Sequence, residues 1–156
     1  ASLLYDSLLS CQEYYTQHKK NEFNDYFYTD SMLFSSDVMI IRNSNNEDIK
    51  PYYRDFLTCA APMATSLRNS DPYTDYDSKL DEIINRRVRK ILLCMLENGH
   101  TKALLGAWGC GAFGNDPYMV AEAFKSALEE FPFFEEVVFA IYEKDESNLS
   151  NYNIFK

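Results

Sequence analysis

Lys102-Ala-Leu-Leu-Gly-Ala-Trp-Gly-Cys-Gly-Ala-Phe-Gly-Asn-Asp-Pro117 reads as a strand, a glycine-dense loop and a helix start. Lys102 to Ala107 is a short apolar run. Gly109, Gly111 and Gly114 then remove side chains where the backbone would approach a ligand closely or take positive φ. Asp116 can cap free N–H groups, and Pro117 suits the first helical position because it lacks an N–H. The loop therefore runs into the positive end of a helix, a location that anions favour. This layout points to a phosphate site made of backbone amides, with a plain structural turn as the alternative.

The surrounding sequence supplies the rest of an α/β pattern. Upstream, a helix is expected from about Thr74 to Asn98, stopped by Gly99, with Leu80, Ile84, Val88, Ile91, Leu92 and Met95 as its apolar stripe. Its later cluster of Arg86, Arg87, Arg89 and Lys90 reads as a solvated, salt-bridged face. Downstream, Tyr118 to Leu128 is a second amphipathic helix, and Glu136-Val-Val-Phe-Ala-Ile-Tyr142 is a strong strand. Helix, strand, glycine loop, helix and strand in series predict a parallel arrangement with helices on its faces.

Nearer the N-terminus, Leu4, Leu8, Cys11 and Tyr15 recur at helical spacing between Leu3 and Lys20. Ser31 to Phe34 and Asp37 to Arg42 read as two strands, Asn43 to Asp48 as a turn, and Phe56 to Ala61 as a further strand ended by Pro62. A polar loop is expected from Ser66 to Tyr76. Ile154 and Phe155 either close over a pocket or anchor the terminus.

Composition narrows the function classes. The 156 residues, 46% hydrophobic and 25% charged, suit a single domain, 1–156, with a real core. A net charge of −9 argues against general attraction to nucleic acid or to anionic membranes, so a polyanion would need a local amide-lined or basic pocket. The four cysteines, Cys11, Cys59, Cys94 and Cys110, lie far apart and suggest neither a zinc site nor a disulfide scaffold. No apolar run approaches the ~20 residues that span a bilayer. A cytoplasmic or nuclear protein without cofactor or metal is the expectation.

Within the loop, no Gly-Lys-Ser/Thr follows the glycines, which removes the P-loop reading, and Trp108 and Phe113 between them depart from the dinucleotide fingerprint. Phe113, flanked by Ala112 and Gly114, is placed to touch a ligand. Trp108 reads as structural. Cys110 has no histidine near it in sequence and reads as a packing choice. His100 is expected in solvent, and the acid pairs Glu129–Glu130 and Glu135–Glu136 as solvated charge. No residue is assigned a catalytic role.

Taken together, Gly106 to Pro117 resembles the phosphate loop of poly(ADP-ribose) glycohydrolases, especially the microbial type of that macrodomain family. Leu3-Leu-Tyr-Asp-Ser-Leu8 with Tyr14-Tyr15, Phe34-Ser-Ser-Asp-Val38, Cys59-Ala-Ala-Pro62 and Val137-Val-Phe-Ala-Ile141 follow the family's order. The resemblance implies a macrodomain, a three-layer α/β/α sandwich with a mixed sheet. It implies that the stretch Gly109, Cys110, Gly111, Ala112, Phe113 and Gly114 holds the diphosphate of ADP-ribose, with Phe113 against the ribose near the scissile bond. Gly106 and Ala107 would form the strand exit, and Asn115 and Asp116 would fix the following helix. The implied partner is ADP-ribose or poly(ADP-ribose) on modified proteins.

One departure matters. The family's chemistry is carried by a Gly-Gly-Gly segment and a Gln-Glu-Glu motif, and neither occurs here; Gln12-Glu13 is followed by Tyr14. The domain is therefore expected to be N-terminally incomplete relative to the family, with hydrolysis only if the catalytic segment is supplied. The alternatives are a non-catalytic binding module and a degenerate domain kept for protein contacts, including self-association.

Overall fold

An Asn-rich turn joins two long strands into a hairpin over residues 32–59. In the computed structural model, which describes residues 26–142 and 150–156, β1 (Met32–Arg42) pairs antiparallel with β2 (Asp48–Cys59). Asn43 organises the turn: its Oδ1 accepts the N–H groups of Asn45 and Glu47, both at 3.0 Å, and Asn46 takes φ +64°. The helix expected over residues 3–20 lies outside the described residues.

The two strands expected over 31–34 and 37–42 are one strand. The polar break at Ser36 and Asp37 is a bulge, where the register shifts between Ser35 and Val38, Asp37 takes φ +53°, and its N–H donates to Asp55 Oδ1 at 2.7 Å. β2 also starts earlier than expected. Pro51, which cannot donate to a ladder, falls in the second irregularity, between the Ile40–Tyr52 and Arg42–Asp48 pairs. By chain contacts this hairpin belongs to one compact unit, and, among the described residues, 26–28 with 61–142 and 150–156 form another.

The second unit carries the glycine loop. It contains α1 (Ala64–Ser70), α2 (Asp77–Glu97), β3 (Lys102–Leu105), α3 (Pro117–Glu130), β4 (Glu136–Phe139) and the short α4 (Asn151–Ile154). β3 and β4 pair in parallel, Ala103 opposite Val137 and Leu105 opposite Phe139, so β3–α3–β4 is the expected parallel unit. The mixed α/β class thus holds, with the described strands divided between an antiparallel and a parallel pair. Residues 64–70 form a helix where a loop was expected to begin, since Leu67 and Ala64 bury one side of a segment otherwise polar.

The core joins the stripe of α2 (Leu80, Ile83, Ile84, Val88, Leu92) to Val120, Ala123, Phe124 and Ala127 of α3, with Leu105 and Phe139 packed against it. Phe139 meets Phe124 edge to face and Phe155 in a tilted pair, both at 5.4 Å, so Phe155 anchors the terminus. Leu104, opposite Val138, remains 73% exposed on the other face. Gly99 ends α2 as expected, at φ +80°. Among the described residues, no helix is long and apolar enough to cross a membrane.

The basic cluster of α2 divides. Arg86 pairs with Glu82 at 2.8 Å and Arg89 with Glu130 at 2.7 Å on the surface, as expected. Arg87 is only 1% exposed and donates to the carbonyl of Tyr28 at 2.9 Å. It stands three and four residues after Ile84 and Ile83, within the buried stripe itself. His100 is half-buried rather than solvated.

Candidate functional site

The loop from Gly106 to Asp116 leaves β3 and enters α3, and its shape follows from which amides it spends on itself. Trp108 N–H bonds to Gly106 O at 2.8 Å, Cys110 N–H to Ala107 O at 3.1 Å, Gly114 N–H to Gly111 O at 2.9 Å and Asn115 N–H to Gly109 O at 3.1 Å. Those bonds fold the loop back on itself. The N–H groups of Gly109, Gly111, Ala112 and Phe113 have no acceptor among the described residues. Gly111 and Ala112, which carry two of these donors, are exposed residues.

Asn115 holds the loop from below. It is 3% exposed, and its Nδ2 donates to Pro62 O at 2.8 Å and Gly109 O at 3.0 Å. The amide is oriented for its two donor bonds, leaving Oδ1 buried without a partner. Its role is thus wider than fixing the following helix. That task falls to Asp116, whose carboxylate accepts Tyr118 N–H at 2.9 Å with Pro117 at the helix start.

Two glycines are required by space as well as by conformation. Gly109 has φ +76°, and a Cβ there would lie 2.7 Å from Ala61 Cβ and overlap the Asn115 amide. Gly114 has φ +66°, and a Cβ there would collide with Thr65 Oγ1. A Cβ on Gly111 would meet nothing, so this glycine keeps the outer surface of the loop open.

Further contacts tie the loop to α1 and α2. Thr65 N–H donates to Phe113 O at 3.0 Å, and Arg68 bridges Gly114 O, at 3.2 Å, to the Asp77 carboxylate, at 3.0 Å. Phe113 is half-buried, its ring 6.3 Å from that of Tyr28 with planes tilted by 34°. Trp108 packs against the core, as expected.

The surroundings of Cys110 oppose formation of a thiolate. Burial pushes its thiol up to about 12, the Asp116 carboxylate adds to the effect, and Sγ lies 3.7 Å from Trp108 O. Its N–H is spent on Ala107, so what it contributes to the loop is packing. An open groove bounded by Tyr118, Phe124, Leu128, Phe139 and Phe155 contains none of the loop residues.

Of the six site residues read from the sequence, all lie on this one loop, and four of them offer amides. Asn115, Arg68 and Tyr28 were not read as part of it. Arg68 and Tyr28 carry no local motif, whereas Asn115 adjoins the last glycine and is a short amide able to reach backbone carbonyls.

Residues 1–43 match the model of the catalytic domain of microbial-type poly(ADP-ribose) glycohydrolases (PARG). No curated protein matches the sequence significantly. The poly(ADP-ribose) glycohydrolase of Deinococcus radiodurans in its apo form is 30% identical, with a TM-score of 0.86 over 97% of this chain and 62% of that one. Its complex with ADP-ribose gives 28% identity and 0.83, covering 92% and 57%. The Thermomonospora curvata enzyme bound to the inhibitor ADP-HPD gives 30% and 0.83, covering 97% and 57%. This chain therefore spans 57% to 62% of the length of these structures. The likeness to microbial-type poly(ADP-ribose) glycohydrolases holds in sequence and in fold.

Proposed function

We propose that this chain is the ADP-ribose-binding part of a microbial-type poly(ADP-ribose) glycohydrolase macrodomain, taking the diphosphate on the loop Gly109–Gly114 and the adjoining ribose against Phe113. The supporting observation is the set of four acceptor-free amides, on Gly109, Gly111, Ala112 and Phe113, beside the N-terminus of α3. A diphosphate brings charge and several acceptor oxygens. Each charge-assisted hydrogen bond contributes about 1.5–3 kcal/mol, and the helix end adds about half a positive charge.

The net charge of −9 does not defeat this. Repulsion from carboxylates elsewhere on the surface is screened beyond about 8 Å at physiological salt, whereas the loop amides would touch the ligand. Backbone donors also read shape rather than charge alone. A loop of fixed curvature selects a diphosphate over a lone phosphate by the number of oxygens it meets.

The chemistry assigned to these residues is binding and orientation. Hydrolysis of a ribose–ribose bond needs an acid to protonate the leaving oxygen as an oxocarbenium-like centre develops, and no Gln-Glu-Glu stands in this sequence to supply it. Turnover would require a polypeptide segment carrying that acid. The partner in this reading is ADP-ribose at the end of a modified protein or polymer. Calorimetric titration with ADP-ribose, using AMP as control, tests it: saturable binding selective for ADP-ribose is expected, and a folded sample that binds neither ligand contradicts it.

A further inference from the structure

We infer that Tyr28 is a positioning residue for the ligand site, holding the Phe113 ring in the orientation that a bound ribose meets; this rests on the ADP-ribose reading above. Residues Tyr26, Phe27 and Tyr28 form a short segment far from the loop in sequence but wedged beside it. Tyr26 and Tyr28 both take positive φ, +31° and +58°, which costs a bulky residue conformational energy. Such a conformation persists only where contacts impose it.

Those contacts are specific. Met63 N–H donates to Tyr26 O at 2.7 Å. Phe27 is buried, edge to face against Tyr76 at 6.1 Å, with Lys79 Nζ 4.3 Å from its ring centroid. Arg87, itself buried in the stripe of α2, donates to Tyr28 O at 2.9 Å. Three anchors therefore fix the backbone of this segment, and the side chain that emerges from the strained position lies against Phe113.

Phe113 needs such support. Its neighbours Ala112 and Gly114 offer little to hold a ring, and among the described residues its own backbone is hydrogen-bonded through Thr65 N–H alone. An aromatic that must present one face to a ligand loses affinity when free to rotate, because ordering it costs entropy at binding. The tilted Tyr28 ring at 6.3 Å removes that freedom in advance.

Tyr28→Gly separates this role from a structural one, because glycine accepts φ +58° without strain while deleting the ring. Affinity for ADP-ribose and thermal midpoint are measured for Tyr28→Gly, Tyr28→Phe, Phe113→Ala and the Tyr28→Gly/Phe113→Ala pair. The expected result is a roughly fivefold loss in Tyr28→Gly with its midpoint kept within about 3 °C, and full rescue in Tyr28→Phe. In the Phe113→Ala background Tyr28→Gly should cost nothing more, since it acts through that ring. Unchanged affinity in Tyr28→Gly overturns the inference, as does an equal loss with Phe113 absent. If the wild-type chain binds no ADP-ribose, the ligand reading fails by itself. The positioning is then read from the Phe113 ring-proton shifts of the ligand-free protein, which must move in Tyr28→Gly and stay in Tyr28→Phe; shifts that stay in both overturn it.

Discussion

The side-chain amide of Asn115 donates at 3.0 Å to the carbonyl of Gly109, six residues earlier, and at 2.8 Å to that of Pro62, so one buried group ties the glycine loop to the entrance of α1. Replacing it by alanine leaves the Pro62 carbonyl without its donor, reduces Gly109 O to the backbone N–H of residue 115 and opens a small void. Asn115→Ala is expected to destabilise the fold by about 2–3 kcal/mol in urea unfolding. Asn115→Asp should cost at least as much, because it sets a carboxylate against two carbonyl oxygens. A loss under about 0.5 kcal/mol in both would show that the loop holds its shape without this lock.

Gly109 and Gly111 should respond in opposite ways. Gly109→Ala meets both a positive φ and two occupied positions, so its cost is expected near 2–4 kcal/mol. Gly111→Ala meets open space and should leave stability within about 0.5 kcal/mol, while its methyl, on the exposed side of the loop, lowers ADP-ribose affinity. Denaturation and titration of the two variants side by side check this. Unaltered affinity in Gly111→Ala would mean that the ligand approaches elsewhere.

Asp116 serves the fold at some cost to the site. It caps α3, and its charge stands close enough to Cys110 to raise that thiol, hence close to any anion on the loop. Asp116→Asn keeps a capping side chain and removes the charge. ADP-ribose should then bind a few-fold more tightly, with the gain shrinking as salt is added. Affinities measured at low and high salt give the answer, and weaker binding in Asp116→Asn at low salt would contradict it.

Cys110 gives a pH-dependent signature. Its folded thiol is raised from 9.0 to about 12, first by burial and then by Asp116. Between those values the unfolded chain has released the proton and the folded chain has kept it. This contribution to stability is therefore complete below about pH 9 and is lost as pH rises toward 12. Iodoacetamide at pH 8 should alkylate Cys110 at least about tenfold more slowly in the folded than in the denatured protein, as followed by mass spectrometry. Equal rates would refute the burial.

The helices around the loop were legible because their stripes follow a 3.6-residue period, and the loop itself because glycine spacing followed by Asp-Pro is a local signal. Less local features were hidden. The gap at Ser36 and Asp37 looks like the end of a strand, but an acceptor eighteen residues away, Asp55, turns it into a bulge. Arg87 reads as surface by its chemistry, although its position after Ile83 and Ile84 places it in the core. Tyr28 could not be linked to Phe113 from sequence, since the contact joins segments 85 residues apart that share no pattern.

The most direct test is an assigned amide spectrum of the ¹⁵N-labelled protein titrated with ADP-ribose. The amides of Gly109, Gly111, Ala112 and Phe113 should move downfield as they gain acceptors, while those of Cys110 and Gly114, already bonded within the loop, move less. Saturable binding that leaves the four open amides still and shifts residues outside the loop would contradict the assignment of the diphosphate to this site.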